Sequence, residues 1–268
     1  MILWENFDIP QLGRRRTVRI SLPDNYGRKG AIHPVLYLQD AQNVFHSGES
    51  FSGHYWEAEK AQKAWRSLPG LQDLIIVAVD HAQQQRLDEY SPWVNQGLKD
   101  RISWIHHAVG GDGEAYASFL AETLKPAVEK AFLVDPSSEK SGIGGSSMGA
   151  LIALYTGLKY PDKFGKILCL SPAFWFALPE LEKFIRTHLP QAHQRIYLSV
   201  GSLETSDENI QDFPQIYIKG TRHIAELLNP KMGSRMEYRV VDGAMHSEVE
   251  WAKIFPGAVE ELWKLDLL

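Results

Sequence analysis

The pentapeptide Gly145-Ser146-Ser147-Met148-Gly149 constrains this chain more than any other feature. It joins an apolar run to a helix-forming one, the strand–turn–helix context in which Gly-x-Ser-x-Gly acts as a nucleophile elbow. A serine projected from the end of a sheet occupies a tight, strained turn. The residues two before and two after it then lie too close together for side chains, so both are glycine.

Around this turn, short β-rich runs alternate with longer helical patterns. That alternation predicts an α/β fold, a three-layer α/β/α sandwich with a mostly parallel central sheet. Strands are expected at Arg16–Leu22 (an edge strand), Val35–Leu38, Leu74–Val79, the run into the elbow, Lys166–Leu170, Ile196–Val200 and Met236–Val241. Helices are expected at Tyr116–Phe132, with Pro126 predicting a kink or break, at Met148–Lys159 and at Ala252–Leu265. No stretch resembles a linker, so residues 1–268 are expected to form one domain. Within it, residues 83–114 have weak periodicity and read either as a loop folded over a pocket or as surface decoration.

Composition excludes several classes. A net charge of -5 gives no reason to expect nucleic acid or anionic membrane as a partner. The run Arg14-Arg15-Arg16 reads as the exposed part of a strand or hairpin. The single cysteine, Cys169, rules out an intramolecular disulfide framework and lies in an apolar run, as a buried thiol would. Glu5 and Asp8 interrupt any signal-peptide pattern, and no apolar stretch has membrane-spanning length, so the expected location is cytoplasmic. Neither a His-Glu-x-x-His segment nor a cysteine pair at ligand spacing is present, and no metal or cofactor is expected. A homo-oligomer stays open.

In parallel α/β sheets the site lies beyond the carboxyl ends of the strands. Asp40, Asp80, Ser147, Glu204 and His246 all fall there. A serine hydroxyl needs a base, usually a histidine oriented by a carboxylate, and elbow enzymes carry them in the order Ser, acid, His. Of the histidines after Ser147, His188 and His193 precede a strand and belong at the opposite edge. His223 sits in an exposed helical pattern. His246 follows a strand through Asp242-Gly243-Ala244-Met245, read as a flexible loop, and is the expected base. Glu204 is the first carboxylate beyond the Ile196 strand, with Asp207 on the same loop as its rival. Two backbone N–H groups should face the oxyanion: Met148, at the start of a helix, and one from Asp40-Ala41-Gln42-Asn43. Phe174, Trp175 and Phe176, with Trp56 and Tyr90, are candidates for an apolar pocket wall and equally for core.

These residues carry a resemblance. Val35-Leu36-Tyr37-Leu38-Gln39-Asp40, Arg86-Leu87-Asp88-Glu89-Tyr90-Ser91-Pro92, Gly145 to Gly149, Ser171-Pro172-Ala173-Phe174-Trp175-Phe176, and His246 with Trp251 downstream together cover most of the chain. The ordered set resembles the esterase family of the α/β-hydrolase superfamily that includes enterochelin esterases, S-formylglutathione hydrolases and mycolyltransferases. The resemblance implies an α/β-hydrolase fold. It places the acid three residues after Gly201, at Glu204, and the second oxyanion donor at Gln42. It departs at Ala41, where that family often has glycine. The implied activity is a serine carboxylic-ester hydrolase with a Ser147–His246–Glu204 triad, Met148 and Gln42 as oxyanion donors, and a pocket of Trp175, Phe174 and Tyr90. Small acyl esters are the expected substrate. A siderophore trilactone esterase, an S-formylglutathione-type thioesterase and an acyltransferase are the alternatives. The trilactone ranks lower because no basic cluster is visible at the strand ends.

Overall fold

The computed structural model describes residues 1–264 apart from Ser47, Glu49 and Phe51. Eight strands form one sheet: β1 (Ile2–Ile9), β2 (Arg14–Ser21), β3 (Val35–Gln39), β4 (Ile75–Val79), β5 (Ser141–Ser146), β6 (Lys166–Leu170), β7 (Arg195–Leu203) and β8 (Met236–Met245). Their order is β1-β2-β4-β3-β5-β6-β7-β8. Pairing is antiparallel from β1 through β2 to β4 and parallel across the rest. The helices are α1 (Ala58–Ala64), α2 (Arg86–Glu89), α3 (Gly113–Ser118), α4 (Lys125–Ala131), α5 (Met148–Lys159), α6 (Leu178–Thr187), α7 (Phe213–Met232) and α8 (Glu248–Trp263).

The central strands are buried on both faces, as their continuous apolar runs require. Two separate apolar clusters result. One packs α3 to α7 against the sheet through Tyr116, Leu120, Leu151, Leu154, Ile185 and Ile224. The other packs α1 and α8 against the opposite face through Ala61, Trp251, Phe255 and Val259. This is the α/β/α sandwich of the α/β-hydrolase fold.

Several elements differ from their sequence-based expectation. The Arg16–Leu22 run is not an edge strand, because β1 pairs outside it. A register shift between Trp4 and Phe7, with Asn6 at φ 54°, breaks the alternation of β1 and hides it from a period-2 reading. The long helix around Pro126 is interrupted, as a proline demands. Phe119–Leu124 is a π-helical stretch, and Pro126 stands in the first turn of α4, where its missing N–H costs little. Strands β7 and β8 extend to Leu203 and Met245 and pair there. His246 therefore follows a strand directly and does not swing on a flexible loop. The final helix begins at Glu248, earlier than Ala252, and its expected end at Leu265 lies outside the described residues. No helix among the described residues is long and apolar enough to cross a membrane.

Candidate active site

Ser147 caps α5 with φ 57° and ψ -124°, a conformation L-residues rarely adopt. Its N–H donates to Leu170 O at 3.0 Å, which pins the turn to the end of β6. The flanking glycines are dictated by space. A Cβ on Gly145 would meet the carbonyl carbon of Gly149 at 2.5 Å, and one on Gly149 would meet Asp40 Oδ2 and Gln39 Cβ at 3.1 Å.

Glu204 directly follows β7 and is fully buried. Its Oε1 accepts from the Gly201 N–H at 2.7 Å, and its Oε2 lies 2.6 Å from His246 Nδ1. Burial pushes this carboxyl up, but His246, the Ser171 hydroxyl and the Gly201 N–H together outweigh it and hold the carboxyl below its ordinary value. It is therefore an anion aimed at the imidazole. The rival, Asp207, is engaged elsewhere. Its Oδ2 accepts from the Ser103 N–H at 2.9 Å and the Ser103 hydroxyl at 2.7 Å, and its Oδ1 from Asn209. Those contacts bring its pKa down to about 2. Asp207 anchors a loop, and Glu204 meets the histidine.

His246 is packed from two sides. Tyr217 on α7 and Trp251 on α8 both place their rings 5.0 Å from the imidazole, Trp251 edge-on. Trp251 Nε1 also donates to Ser171 Oγ at 2.8 Å, so one indole braces the histidine and the serine that contacts Glu204. Ser171 itself adopts φ 45° at the end of β6, and its N–H donates to Ser199 O at 2.7 Å. The Tyr217 hydroxyl lies 2.6 Å from Ser206 Oγ, so the ring that packs on the histidine is also tied to the loop that carries Glu204.

The other expected residues fall into place unevenly. Met148 opens α5, so its N–H has no intrahelical acceptor. Gln42 lies in a short 3-10 turn, Ala41–Asn43, entered through Asp40 at φ 58°. Its side chain grips the end of β4, with Oε1 accepting from His81 N at 2.9 Å and Nε2 donating to His81 O at 3.4 Å. Asp40 is clasped by Arg86 through two bonds of 2.7 and 2.8 Å, and Asp80 pairs with Arg19 at 2.7 Å. These two strand-end carboxylates are structural ion pairs. Phe174 and Tyr90 show no exposed surface and belong to the core, where the ring of Tyr90 packs on Tyr116. They do not wall an open cleft, since large apolar rings this close to the sheet are taken up by packing. Trp56 is likewise core, against Trp251 and Phe255. Trp175 is only partly buried and packs on Phe213 and Tyr217, 5.1 and 5.9 Å away. Among the described residues, no group of three or more His, Cys, Asp or Glu side chains is placed to hold a metal ion.

Sequence reasoning missed Tyr217, Ser206 and the bracing role of Ser171. Tyr217 lies on a helix ten residues beyond the acid loop, where nothing in its local pattern separates it from ordinary core.

Comparison with known proteins places this arrangement in context. The family described as "Putative esterase" matches residues 9–262. A Bacillus subtilis (strain 168) protein named "Uncharacterized protein YbbA" is 27% identical over 253 residues, 94% of this chain and 93% of its own. The ferri-bacillibactin esterase BesA of the same organism is 28% identical over 186 residues, 64% of this chain and 60% of its own. Among solved structures, the BES protein from Bacillus cereus superposes with a TM-score of 0.72 at 22% identity, covering 97% of this chain and 94% of that one. The enterobactin esterase FES from Shigella flexneri superposes at 0.68 with 19% identity over 98% of this chain, which spans 58% of that longer one. The chain belongs to the Esterase family and is a carboxylic-ester hydrolase with the α/β-hydrolase fold.

Proposed function

We propose that the chain hydrolyses small acyl esters through Ser147, His246 and Glu204 and a covalent acyl-enzyme. The observation that carries this reading is the 2.6 Å contact between His246 Nδ1 and the fully buried Glu204 carboxylate, at the same carboxyl edge of the parallel strands as a serine on a strained elbow. With Nδ1–H donating to Glu204, the free Nε2 is the base. His246 Nε2 takes the Ser147 proton as Oγ bonds to the ester carbonyl carbon. The carbonyl π electrons move to oxygen, where the Met148 and Gln42 N–H groups stabilise the developing charge. The tetrahedral intermediate collapses, the C–O bond to the alcohol breaks, and His246 returns its proton to the leaving oxygen. Water, deprotonated by the same imidazole, then releases the acid. No metal or cofactor takes part. The segment 83–114 covers the pocket in this reading. Trp104 Nε1 donates to Ser206 O at 3.0 Å and Ser103 holds Asp207, so the segment lies against the loop that follows Glu204.

A siderophore ester is the second reading, favoured by relatives named as ferri-bacillibactin and enterobactin esterases. Arg86 is a cation near the oxyanion loop, but Asp40 neutralises it, which favours an uncharged ester. Turnover of p-nitrophenyl esters from acetate to octanoate, set beside turnover of a catecholate trilactone, separates the two. Loss of turnover in Ser147→Ala is the expected outcome for either substrate. Equal rates in wild type and variant would overturn the nucleophile assignment. Product analysis with added alcohols distinguishes hydrolysis from acyl transfer.

A further inference from the structure

The run Arg86 to Pro92 supplies nothing to the triad, yet two of its residues converge on Asp40. Arg86 Nε donates to Asp40 Oδ1 at 2.7 Å and Nη2 to Oδ2 at 2.8 Å, a two-point clasp that fixes the plane of the carboxylate. Tyr90, one helical turn further on, accepts the Asp40 N–H on its hydroxyl at 3.3 Å. The guanidinium stands 5.0 Å from the centre of the Tyr90 ring, close enough for a cation–π contact. Asp40 is thus held by its main chain and its side chain at once.

This hold falls where the backbone is strained. Asp40 has φ 58° and ψ 51°, a left-handed conformation that residues other than glycine keep only where their neighbours over-determine it. The turn it opens is closed by the Asn43 N–H, which donates to Asp40 O at 2.8 Å. That turn carries Gln42, whose side chain is pinned to both polar groups of the His81 backbone. On its other side the Asp40 carboxylate stands against the start of α5, since a Cβ on Gly149 would lie 3.1 Å from Oδ2. One ion pair therefore sits between the turn bearing the Gln42 N–H and the helix start bearing the Met148 N–H. Oxyanion donors act by being fixed in place before the reaction, and a displacement of about 1 Å can lower the rate roughly a hundredfold.

We propose that Arg86 is a positioning residue for the esterase reaction, which sets the oxyanion loop against the nucleophile elbow by clasping Asp40. It acts through Asp40 and touches no reacting atom. Its Nε–Nη2 edge is taken by that carboxylate, so the edge does not serve to grip an anionic group of the substrate. A lysine would keep the charge but, as a point charge on a flexible stem, could not fix the plane of both oxygens. The proposal rests on the reading of Ser147 as nucleophile and the Gln42 N–H as oxyanion donor given above.

Two probes read the hole without knowledge of the natural ester. A fluorophosphonate reports the reactivity of Ser147, and an aryl trifluoromethyl ketone forms a tetrahedral oxyanion adduct on the same serine, so its affinity reports the donors. Arg86→Lys should label on the order of tenfold to a hundredfold more slowly, less than the complete loss of one donor. Its affinity for the ketone should fall by a similar factor, measured well below its melting temperature. A merely structural arginine would lower the melting temperature and leave both probes within twofold of wild type, and that result would overturn the proposal. If Arg86→Lys fails to fold, Asp40→Asn decides, because asparagine also tolerates the left-handed conformation and loses only the charged clasp. Slower labelling and weaker ketone binding in Asp40→Asn support the proposal; labelling at or above the wild-type rate rejects it. Labelling that persists in Ser147→Ala would refute the nucleophile itself, a failure of the underlying reading that no Arg86 variant could produce.

Discussion

Glu204 and Asp207 are three residues apart, and the difference between them is entirely one of partners. Glu204 accepts from Gly201 and meets His246, whereas Asp207 spends both oxygens on Ser103 and Asn209. Replacing the acid of such an array by its amide leaves the shape but favours the wrong imidazole tautomer, a loss of about 10⁴ in turnover. Glu204→Gln should therefore fall to that order, and Asp207→Asn should remain within a few-fold of wild type. Steady-state kcat for the two variants on one p-nitrophenyl ester checks this. A larger loss at Asp207 would reverse the assignment. Ser171 and Trp251 belong to the same scale of argument: the serine contacts the acid, and the indole holds that serine while packing on the base.

The turn between β5 and α5 is where an element, and no single side chain, sets the chemistry. Its two glycines face different neighbours. At Gly145 an added methyl would meet the backbone of Gly149 at 2.5 Å, whereas at Gly149 it would meet the side chains of Asp40 and Gln39 at 3.1 Å. Backbone cannot step aside as a side chain can. Gly145→Ala should thus cost about 1–3 kcal/mol, as overpacked sites do, or roughly 3–10 °C in Tm for a chain of this size. Gly149→Ala should stay closer to wild type in Tm while displacing the Asp40 loop that carries Gln42. Thermal unfolding of both variants tests the order. A Tm for Gly145→Ala equal to wild type would mean that the turn relaxes freely. The same logic accounts for the π-helical stretch before Pro126, where the chain widens a turn to absorb a residue that cannot donate.

Across the whole molecule, residues 83–114 are tied to distant parts of the chain. Glu89 receives Arg14 and Arg16 from β2, Asn95 Nδ2 donates to Phe176 O at 2.6 Å, and Ser103 and Trp104 bond to Asp207 and Ser206 beyond β7. The Ser103–Asp207 contact makes one of these ties sensitive to acid. Asp207 has a folded pKa of about 2, depressed first by the Ser103 N–H, then by the Ser103 hydroxyl and Asn209. A carboxylate depressed in this way stabilises the fold fully above its unfolded value of about 4 and loses that contribution as pH falls towards the folded value. The stability gap between wild type and Asp207→Ala should therefore be constant near neutrality, shrink below about pH 4 and close near pH 2. Urea midpoints across that range measure it. A gap that does not change with pH would show that the contact does not depend on the charge.

Local chemistry was legible in the sequence wherever the chain itself creates the constraint. The elbow needs glycines at fixed spacing, the central strands need unbroken apolar runs, and the order of Ser147, Glu204 and His246 follows from strand ends that succeed one another along the chain. The α/β class and most strands could be read for the same reason, and β1 could not, because its bulge destroys the alternation that marks a strand. The sequence favoured Glu204 as the first carboxylate after its strand but left Asp207 as a rival, and the tertiary structure separated them through what β7, β8 and residues 98–107 bring to each. Only the tertiary structure decided that Phe174 and Tyr90 are core while Trp175 stays partly open, and that Tyr217 on α7 packs on the imidazole of His246. Those outcomes depend on contacts between segments far apart in sequence, and the pattern of any one segment carries no record of the neighbour it will meet.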